Sequence, residues 1–350
     1  MLAAVSFLPV PAAGLSAEKA ILLDAATGRV IREKNIDSRS LIASTTKIMT
    51  ALIICEQCNV LDRMRIPKEA VGIEGSSMYL QEGEVLTVQE LLYGLMLRSG
   101  NDAAVALAIY CGGTVEGFAE LMNDKARALG MRNSHFVNPN GLDAPDHYST
   151  ARDLAILGAY AMENPIFYKT VSAKNVKVGD RYLTNHNKLL WRVEGADGIK
   201  TGYTKAAGRI LVSSATRQGR RLIGVTVNAP DDWNDHAVML EEGFADYTLQ
   251  RIVTAGDVLG MAEVAGGQLG KVPLIAAEDF DYPVGPEESV TVELKGPGFV
   301  YAPVAHGAQA GFAHVCVQGN SVGSVPLVFG ETVEQETDEK GFFEKLFGRE

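Results

Sequence analysis

Cysteine is scarce in this sequence, with four among 350 residues. So low a count does not form the dense disulfide framework that stabilises small secreted domains, and it excludes that class of protein. Cys55 and Cys58 have too few companions for a zinc site, and a redox pair usually lies at the start of a helix. We therefore predict that these two, Cys111 and Cys316 are small apolar side chains, and we assign no disulfide.

Basic residues are also fewer than acidic ones. The chain has 32 Lys and Arg against 43 Asp and Glu, which gives a net charge of -11. An acidic chain has no general attraction for phosphate backbones, so we expect no nucleic-acid partner. The hydrophobic fraction of 47% is ordinary for a globular protein and suffices for one large core or two domains.

Residues 1–17 contain no charge at all. This run is short for a membrane span, is interrupted by Pro9 and Pro11, and ends in small residues before Glu18. The pattern is typical of the back half of a secretory signal, although the usual basic start is missing. We predict an exported protein with a cleavage point near Ala17; the alternative is a disordered apolar leader.

Strand patterns lie at both ends of residues 18–247, and helix patterns fill the middle. Two strands meet at a turn at Thr27 and Gly28, and strands return after Gly198. Between them, residues 44–55 are apolar almost all round, which indicates a buried helix. The sequence therefore predicts an α/β fold in which helices pack on one antiparallel sheet.

Polar side chains mark where several of these helices begin. Thr87 and Glu90 have the spacing of a capping box, in which each side chain accepts a hydrogen bond from the other residue's backbone N–H. Ser99 and Asp102 have the same spacing and are predicted to cap the following helix.

From about residue 250 the composition changes, because Gly and Pro become frequent and short strand patterns alternate. We predict a small all-β domain at 250–330, followed by an acidic tail at 331–350. Phe342, Phe343, Leu346 and Phe347 would share one face of a helix, which predicts a short interfacial membrane anchor. The alternative is a disordered tail, because the acidic residues upstream would be repelled by anionic lipid.

Ser44 and Lys47 form an S-x-x-K motif inside the buried helical run. Residues three apart share one face of a helix, so the amine can reach the hydroxyl. Low polarity lowers the pKa of a lysine and leaves a neutral amine that can take the proton of a serine. The motif alone is weak, since Ser16 and Lys19 repeat it in the leader region.

Two further motifs each occur once. Ser99, Gly100 and Asn101 follow the end of a helix, and residues 200–202, Lys-Thr-Gly, open a predicted strand. The second of these supplies a cation, a hydroxyl, and a glycine that leaves room for a substrate backbone.

In this order and at this separation, the three motifs resemble the signature of serine β-lactamases and penicillin-binding proteins. Longer segments resemble the low-molecular-mass D-alanyl-D-alanine carboxypeptidases of bacteria, a family of serine peptidases. They are AILLDAATGRVIREKN, ASTTKIMTAL, LRSGNDAAVALA, FVNPNGLDAPDHYSTARDLA and DGIKTGYTKAAGRILVSSA. The resemblance implies a catalytic domain at 18–249, after a signal remnant at 1–17, and makes 250–330 the accessory C-terminal domain.

The resemblance also implies a reaction. Ser44 would attack the carbonyl between two D-alanines of a peptidoglycan stem peptide, with Lys47 as general base. Ser99 would relay a proton to the leaving amine, and Asn101 would hold Lys47 and the substrate amide. An acyl-enzyme would form and then be hydrolysed by water.

The remaining site residues would bind the substrate. By the same resemblance, Lys200 and Thr201 hold the terminal carboxylate beside Gly202, and the backbone N–H groups of Ser44 and Tyr203 form the oxyanion hole. No metal or organic cofactor is implied, and β-lactam antibiotics are expected as covalent inhibitors. The expected location is the cell wall or the outer face of the cytoplasmic membrane.

Three alternatives stay open. A serine β-lactamase needs fast deacylation, but no E-x-x-L-N sequence lies between the second and third motifs, and Glu163 is expected at a surface helix end. A Ser-His-Asp hydrolase lacks its G-x-S-x-G turn, and His147 is expected to be a polar loop residue. A non-catalytic peptidoglycan-binding protein is disfavoured by the three intact motifs. Asn234 and His236 are left without a role.

Overall fold

The computed structural model describes residues 10–11 and 14–336, so the predicted anchor residues of the tail lie outside the described part of the chain. The described chain divides into two compact units, one ending at Ala245 and one beginning at Asp246. We call them the larger unit and the β unit. Each is described by itself below.

In its described residues, the larger unit contains ten strands and eight α-helices. Its strands are β1 (Val10–Pro11), β2 (Lys19–Asp24), β3 (Val30–Lys34), β4 (Arg63–Arg65), β5 (Val85–Thr87), β6 (Asn175–Val178), β7 (Arg181–Thr184), β8 (Ala196–Thr204), β9 (Gly208–Arg217) and β10 (Arg220–Val227). Its helices are α1 (Lys47–Gln57), α2 (Val88–Leu97), α3 (Asn101–Gly112), α4 (Val115–Ala128), α5 (Ala151–Met162), α6 (Pro165–Ser172), α7 (Leu189–Arg192) and α8 (Asp232–Asp246).

Six of the strands form one sheet in the order β1-β3-β2-β10-β9-β8. Strands from the two ends of the unit meet where β2 pairs antiparallel with β10, Ile21 opposite Val225. Every pairing in this sheet is antiparallel except β1 with β3. The predicted α/β architecture is thereby confirmed, and the turn between β2 and β3 has Gly28 at a φ of 70°, a conformation that glycine adopts without strain.

Helix α1 is buried along nearly its whole length and contacts α2, α3, α4 and α5. Its start differs from the prediction, because Ser44 does not belong to the α-helix. The residues Ala43–Thr46 form a 3-10 turn that leads into α1 at Lys47. The sequence shows the apolar run but not this tightening of its first turn.

The two predicted caps have different outcomes. Thr87 and Glu90 form the capping box of α2. Ser99 and Asp102 do not cap α3, because its N-cap is Gly100, without a side-chain bond. Asp102 instead accepts backbone N–H groups from the loop before β5, at Met78 and Leu80. A competing long-range partner therefore overrides the local capping pattern.

The β unit contains eight strands: β11 (Thr248–Val253), β12 (Val258–Ala265), β13 (Lys271–Ala276), β14 (Phe280–Val284), β15 (Val290–Lys295), β16 (Phe299–Tyr301), β17 (Gln309–Val317) and β18 (Asn320–Phe329). Six form a sheet in the order β15-β17-β18-β13-β12-β16, and β11 pairs with β14. The prediction of short strands in this region is confirmed. They enclose an apolar core that includes Ala313, Val325 and Leu327.

Candidate active site

Ser44 and Lys47 lie in contact at the start of α1. In a 3-10 turn, residues three apart eclipse one another, so the turn that carries Ser44 directs both side chains to the same side. The Nζ of Lys47 lies 2.9 Å from the Oγ of Ser44. Ser44 is partly exposed, whereas Lys47 is fully buried. The solvent-accessible hydroxyl of Ser44 therefore contacts the buried amine of Lys47.

The amine of Lys47 has two further oxygen partners. Its Nζ donates to the side-chain Oδ1 of Asn101 and to the backbone carbonyl of Asn140, both at 2.6 Å. Burial, aided by the charge of Lys200, holds the pKa of Lys47 well below its usual range, while Asp102 opposes this effect. The site thus favours the neutral amine that the sequence predicts.

The second motif lies where α2 gives way to α3. Ser99 lies between the two helices and has a φ of 59°, and Asn101 is the first residue of α3. The Nδ2 of Asn101 donates to the carbonyl of Glu74 at 2.5 Å. Because this bond fixes the amide plane, Oδ1 is directed at the amine of Lys47.

The third motif lies inside β8 rather than at its start, because this strand begins at Ala196. Strand β8 forms one edge of the six-stranded sheet. A Cβ atom at Gly202 would lie 3.3 Å from the backbone nitrogen of Ser44 and 3.2 Å from the carbonyl of Ile42. Glycine at this position therefore lets the strand pack directly on the turn that carries Ser44.

Lys200 is the second buried amine of the site, with 1% of its surface exposed. Its Nζ donates to the carbonyl of Thr201 at 2.9 Å. Burial lowers the pKa of Lys200 to about 7. The protonated form carries a positive charge that an anionic substrate group would stabilise.

A groove of about 360 Å³ joins the three motifs. It is lined by one or more residues of each motif: Ser44, Ser99, Thr201, Gly202 and Tyr203. Lys47, Asn101 and Lys200 are buried next to this lining. The structure thus brings all eight predicted site residues to one place.

Sequence reasoning missed the loop that follows α4. This loop supplies the Asn140 carbonyl, and it contains His147, which lies in a loop as we expected but is buried. Nδ1 of His147 accepts the backbone N–H of Val137 at 3.1 Å, so Nε2 carries the proton and donates to Oγ1 of Thr46 at 2.7 Å. Burial lowers the pKa of His147 to about 4. A neutral imidazole therefore ties this loop to the turn that carries Ser44.

Arg209 is a second residue that the motifs did not reveal. It lies opposite Tyr203 in the pairing of β8 with β9, and its side chain lines the groove. Its Nε and one terminal nitrogen donate to Oδ1 of Asp232 at 3.1 and 2.8 Å, and the guanidinium lies 5.8 Å from the ring centre of Trp233. Only the strand register places this cation beside the third motif. His186 and Lys188 also line the groove without having been predicted.

The two residues left without a role lie outside the lining of the groove. His236 is fully buried between Ser213 and Thr226, whose hydroxyls lie 2.6 and 2.9 Å from its ring nitrogens. Burial lowers its pKa to about 3. Asn234 is exposed. Arg209, by contrast, is a basic residue that does line the groove near the third motif.

Glu163 has the position that we predicted, at the C-cap of α5. Its side chain is 74% exposed and forms an ion pair with Arg221 at 3.1 Å. Within the described residues, no group of three or more His, Cys, Asp or Glu side chains could hold a metal ion. Taken singly, no helix in residues 10–11 and 14–336 is long and apolar enough to cross a membrane, though α3 and α4 together, bent by 82°, pass by length and composition.

A family model described as D-alanyl-D-alanine carboxypeptidase, Peptidase_S11, matches residues 8–231. The chain belongs to the D-alanyl-D-alanine carboxypeptidase family. A second model, described as the C-terminal domain of penicillin-binding protein 5, matches residues 247–335. The resemblance predicted from the motifs is therefore confirmed, and the chain is a serine-type carboxypeptidase of the hydrolase class.

Relatives of this carboxypeptidase cover most of its length. D-alanyl-D-alanine carboxypeptidase DacF of Bacillus subtilis is 31% identical over 91% of this chain and 86% of the relative. DacC of Escherichia coli is 34% identical over 97% of this chain and 88% of the relative. The solved structure of penicillin binding protein 5 from Haemophilus influenzae has a TM-score of 0.78 and 30% identity, covering 94% of this chain and 100% of that one.

Proposed function

We propose that this carboxypeptidase removes the terminal D-alanine from peptidoglycan pentapeptide stems, with Ser44 as the covalent nucleophile. One observation carries the assignment: the Oγ of Ser44 lies 2.9 Å from the buried Nζ of Lys47, on a groove that Thr201 and Gly202 also line. A serine hydroxyl is a weak nucleophile until a neighbouring base takes its proton. The contact supplies that base where a substrate can enter.

The partners of Lys47 support its role as the base. A neutral amine has two N–H donors and one lone pair. The oxygens of Asn101 and Asn140 take the two donors, so the lone pair is left for the hydroxyl proton of Ser44. Asn101 and Asn140 are thus positioning residues for the base. As the tetrahedral intermediate collapses to the acyl-enzyme, the proton passes to the leaving amine of D-alanine, with Ser99 as the relay on the groove wall.

The oxyanion of the tetrahedral intermediate would be bound by the backbone N–H groups of Ser44 and Tyr203. The close approach of Gly202 to the nitrogen of Ser44 supports this arrangement, because it brings the two backbones together. Removing one such donor typically costs about 3 kcal/mol of transition-state stabilisation.

The terminal carboxylate of the stem would be bound by Lys200 and Thr201, with Arg209 adding a second positive charge at the groove. This chain is acidic overall, with a net charge of -11. Local cations are therefore needed for it to attract an anionic peptide end. β-Lactam antibiotics carry a carboxylate beside their reactive carbonyl, so the same groups would guide them to Ser44.

The acyl-enzyme formed with a penicillin should be hydrolysed slowly. Fast release requires a base that activates water, and Glu163, the carboxylate considered for a β-lactamase, pairs with Arg221 at an exposed helix end. We therefore propose inhibition by penicillins rather than their turnover. A rapid steady-state hydrolysis of benzylpenicillin would contradict this assignment.

Two assays test the function. Labelling with a fluorescent penicillin followed by peptide mapping should place the adduct on Ser44; an adduct on Ser16, or none, would overturn the assignment. Incubation with diacetyl-Lys-D-Ala-D-Ala should release one D-alanine per peptide. Binding of that peptide without release would favour the non-catalytic peptidoglycan-binding alternative.

We further propose that the protein is exported and works outside the cytoplasm, at the cell wall or the outer face of the cytoplasmic membrane. Residues near the predicted cleavage point support a more upstream cut. The backbone N–H groups of Ser16 and Ala17 donate to the buried carboxylate of Asp235 at 2.9 and 3.0 Å, and the Ser16 hydroxyl donates at 2.8 Å. A cut after Ala17 would remove all three donors, so the cut is expected before Ser16.

Amino-terminal sequencing of the exported protein tests this position. A mature chain that begins at Glu18 would contradict it. Contact of residues 331–350 with the membrane is a separate proposal, tested by flotation with liposomes. If the chain without residues 341–350 floats as well as the intact chain, the anchor proposal fails.

A further inference from the structure

A loop segment between α4 and α5, residues 137–147, packs against the start of α1. Thr50 of α1 donates from Oγ1 to the carbonyl of Pro139 at 2.7 Å. Lys47, one turn earlier, donates to the next carbonyl along the segment, that of Asn140, at 2.6 Å. Two successive carbonyls of the segment are therefore bonded to one face of α1, and one of them is a partner of the buried amine.

The turn before α1 contains a strained residue. Ala43 has a φ of 45°, a conformation that residues other than glycine rarely adopt and that persists only where the surrounding structure holds it. Gly141 lies directly against it, since a Cβ atom at Gly141 would overlap the carbonyl oxygen of Ala43. The conformation of the turn that carries Ser44 therefore depends on the 137–147 segment lying against it.

His147 joins the segment to this turn through its side chain. One ring nitrogen bonds to the hydroxyl of Thr46 at 2.7 Å, and the other accepts the backbone N–H of Val137 at 3.1 Å. The ring is buried and lies edge-on to Phe136, with the ring centres 5.7 Å apart. One imidazole therefore connects both ends of the segment to the residue before Lys47.

We propose that His147 is a positioning residue for the reaction, because it holds the carbonyl of Asn140 against the amine of Lys47. This inference rests on the proposed role of Lys47 as the base. The oxygens of Asn101 and Asn140 take the two N–H donors of the neutral amine, so their positions set the direction of its lone pair. Without the bond from His147, the Asn140 carbonyl shifts and the lone pair is no longer directed at Ser44.

Two amide side chains separate the two bonds of the imidazole. In His147→Gln, the amide nitrogen can take the place of Nε2 and donate to Thr46, but no acceptor is left near Val137. In His147→Asn, the shorter side chain can accept from Val137 but does not reach Thr46. The bond to Thr46 is the one that joins the segment to the turn, so the two variants should differ in activity although both lose one bond.

The experiment measures acylation of the full-length chain by a fluorescent penicillin at saturating concentration, together with the fraction of chains finally labelled. The acylation rate constant of His147→Asn should fall about 10- to 100-fold, the loss typical of a misplaced catalytic group. His147→Gln should stay within about threefold of the unaltered chain. The penicillin concentration that gives half the maximal rate should be unchanged in both, because the groups that would bind the carboxylate are unaltered.

A second route removes the same bond from the other side. Thr46→Val keeps the shape of the side chain and the whole imidazole but has no hydroxyl for His147. Its rate constant should fall as in His147→Asn, and the double variant should be no slower than the slower single variant, because both changes remove one interaction. Losses that multiply in the double variant would overturn the proposal.

His236 provides the matched control. It is also buried and bonded to two side-chain hydroxyls, but it does not line the groove. His236→Asn should lower the midpoint temperature of unfolding and the labelled fraction, while the rate constant of the folded chains stays unchanged. Equal losses of rate constant in His147→Asn and His236→Asn, or in the Asn and Gln variants of His147, would show a merely structural role.

The same measurements separate this inference from the proposed function. If the unaltered chain is not labelled at Ser44, the proposed function fails and this inference fails with it. If the unaltered chain is labelled there, and both His147→Asn and Thr46→Val keep its rate constant, the inference about His147 alone is wrong.

Discussion

The two units of this chain differ in what their cores contain. Across the described residues, the buried charged, amide, imidazole and aliphatic hydroxyl side chains all lie between Asp24 and His236, in the larger unit. The described core of the β unit is built from side chains such as Val272, Ala313 and Leu327. Both units form sheets, so the sheet itself does not require buried polar groups.

The difference indicates what the buried amines are for. A buried charge or unpaired polar group costs free energy, and apolar side chains of similar size would often serve stability as well. The larger unit nevertheless keeps Lys47 and Lys200 under a groove, each with oxygen partners. We propose that Lys47 and Lys200 are kept in this interior for the reaction rather than for stability.

The largest expected effect comes from removing the proposed base. Lys47→Met keeps the length of the side chain but has no lone pair for the proton of Ser44. The acylation rate with a fluorescent penicillin should fall about 10³-fold, within the range typical of a general base. The matched control is Lys295→Met, an exposed lysine of the β unit, which should leave the rate unchanged. If both variants lost acylation rate to a similar extent, the proposed difference between the roles of lysines in the two units would be wrong.

The next largest effect is a pH dependence of kcat/KM that arises from the buried amines of the larger unit. Burial lowers the pKa of Lys200 to about 7, so this amine is charged below that pH and neutral above it. Carboxylate binding needs the charged form, and kcat/KM for a D-Ala-D-Ala peptide should fall about tenfold per unit as the pH rises beyond 7. The opposite, rising limb comes from loss of the Lys47 proton, because burial and the charge of Lys200 hold the pKa of this amine well below its usual range.

A peptide with a C-terminal amide in place of the carboxylate is the control for this limb. It has no negative charge for Lys200 to bind, so its kcat/KM should not decline as Lys200 loses its proton. If kcat/KM declines equally for the acid and the amide peptides as the pH rises beyond 7, the decline arises from a group other than Lys200.

A smaller effect is expected from the second cation of the groove. Arg209→Gln should raise KM for the peptide by up to about fivefold with kcat nearly unchanged, because a solvent-reachable ion pair contributes at most about 1 kcal/mol. Arg217→Gln is the matched control on the same strand, since Arg217 pairs with Glu241 and does not line the groove. A fall in kcat without a change in KM would exclude a binding role for Arg209.

The smallest effect on activity is expected from the core of the β unit. Leu327 is fully buried there, and Leu327→Ala should lower the free energy of unfolding of that unit by about 2–5 kcal/mol. Acylation of Ser44 should stay at the rate of the unaltered chain. Scanning calorimetry and penicillin labelling of the same sample measure both quantities, and a parallel loss of labelling would show that the β unit contributes to the reaction.

The sequence predicts those parts of the site that are local. Ser44 and Lys47 are three residues apart, and Thr201 and Gly202 are adjacent, so motif spacing alone identifies them. Arg209 could not be found in this way, because its place beside the third motif depends on the register of β9 against β8.

The same reasoning explains the errors. His147 was expected to be a polar loop residue; it lies in a loop, but its burial and its hydrogen bonds to Thr46 and Val137, on separate segments, were not foreseen. Asp102 has a capping position, but its carboxylate instead accepts the backbone N–H of Met78 in a distant loop. In each case a partner far along the chain outweighs the local pattern.

The most direct test of the central claim is a titration of Lys47 itself. Heteronuclear NMR of protein labelled with ¹³C at the lysine Cε atoms can follow each amine separately, and Lys47→Met identifies the signal. We predict that the Lys47 signal changes to that of a neutral amine well below the pH range in which exposed lysines lose their protons, because burial and Lys200 lower its pKa. A Lys47 signal that stays protonated until the pH range of exposed lysines would contradict the account of Lys47 as the base that activates Ser44.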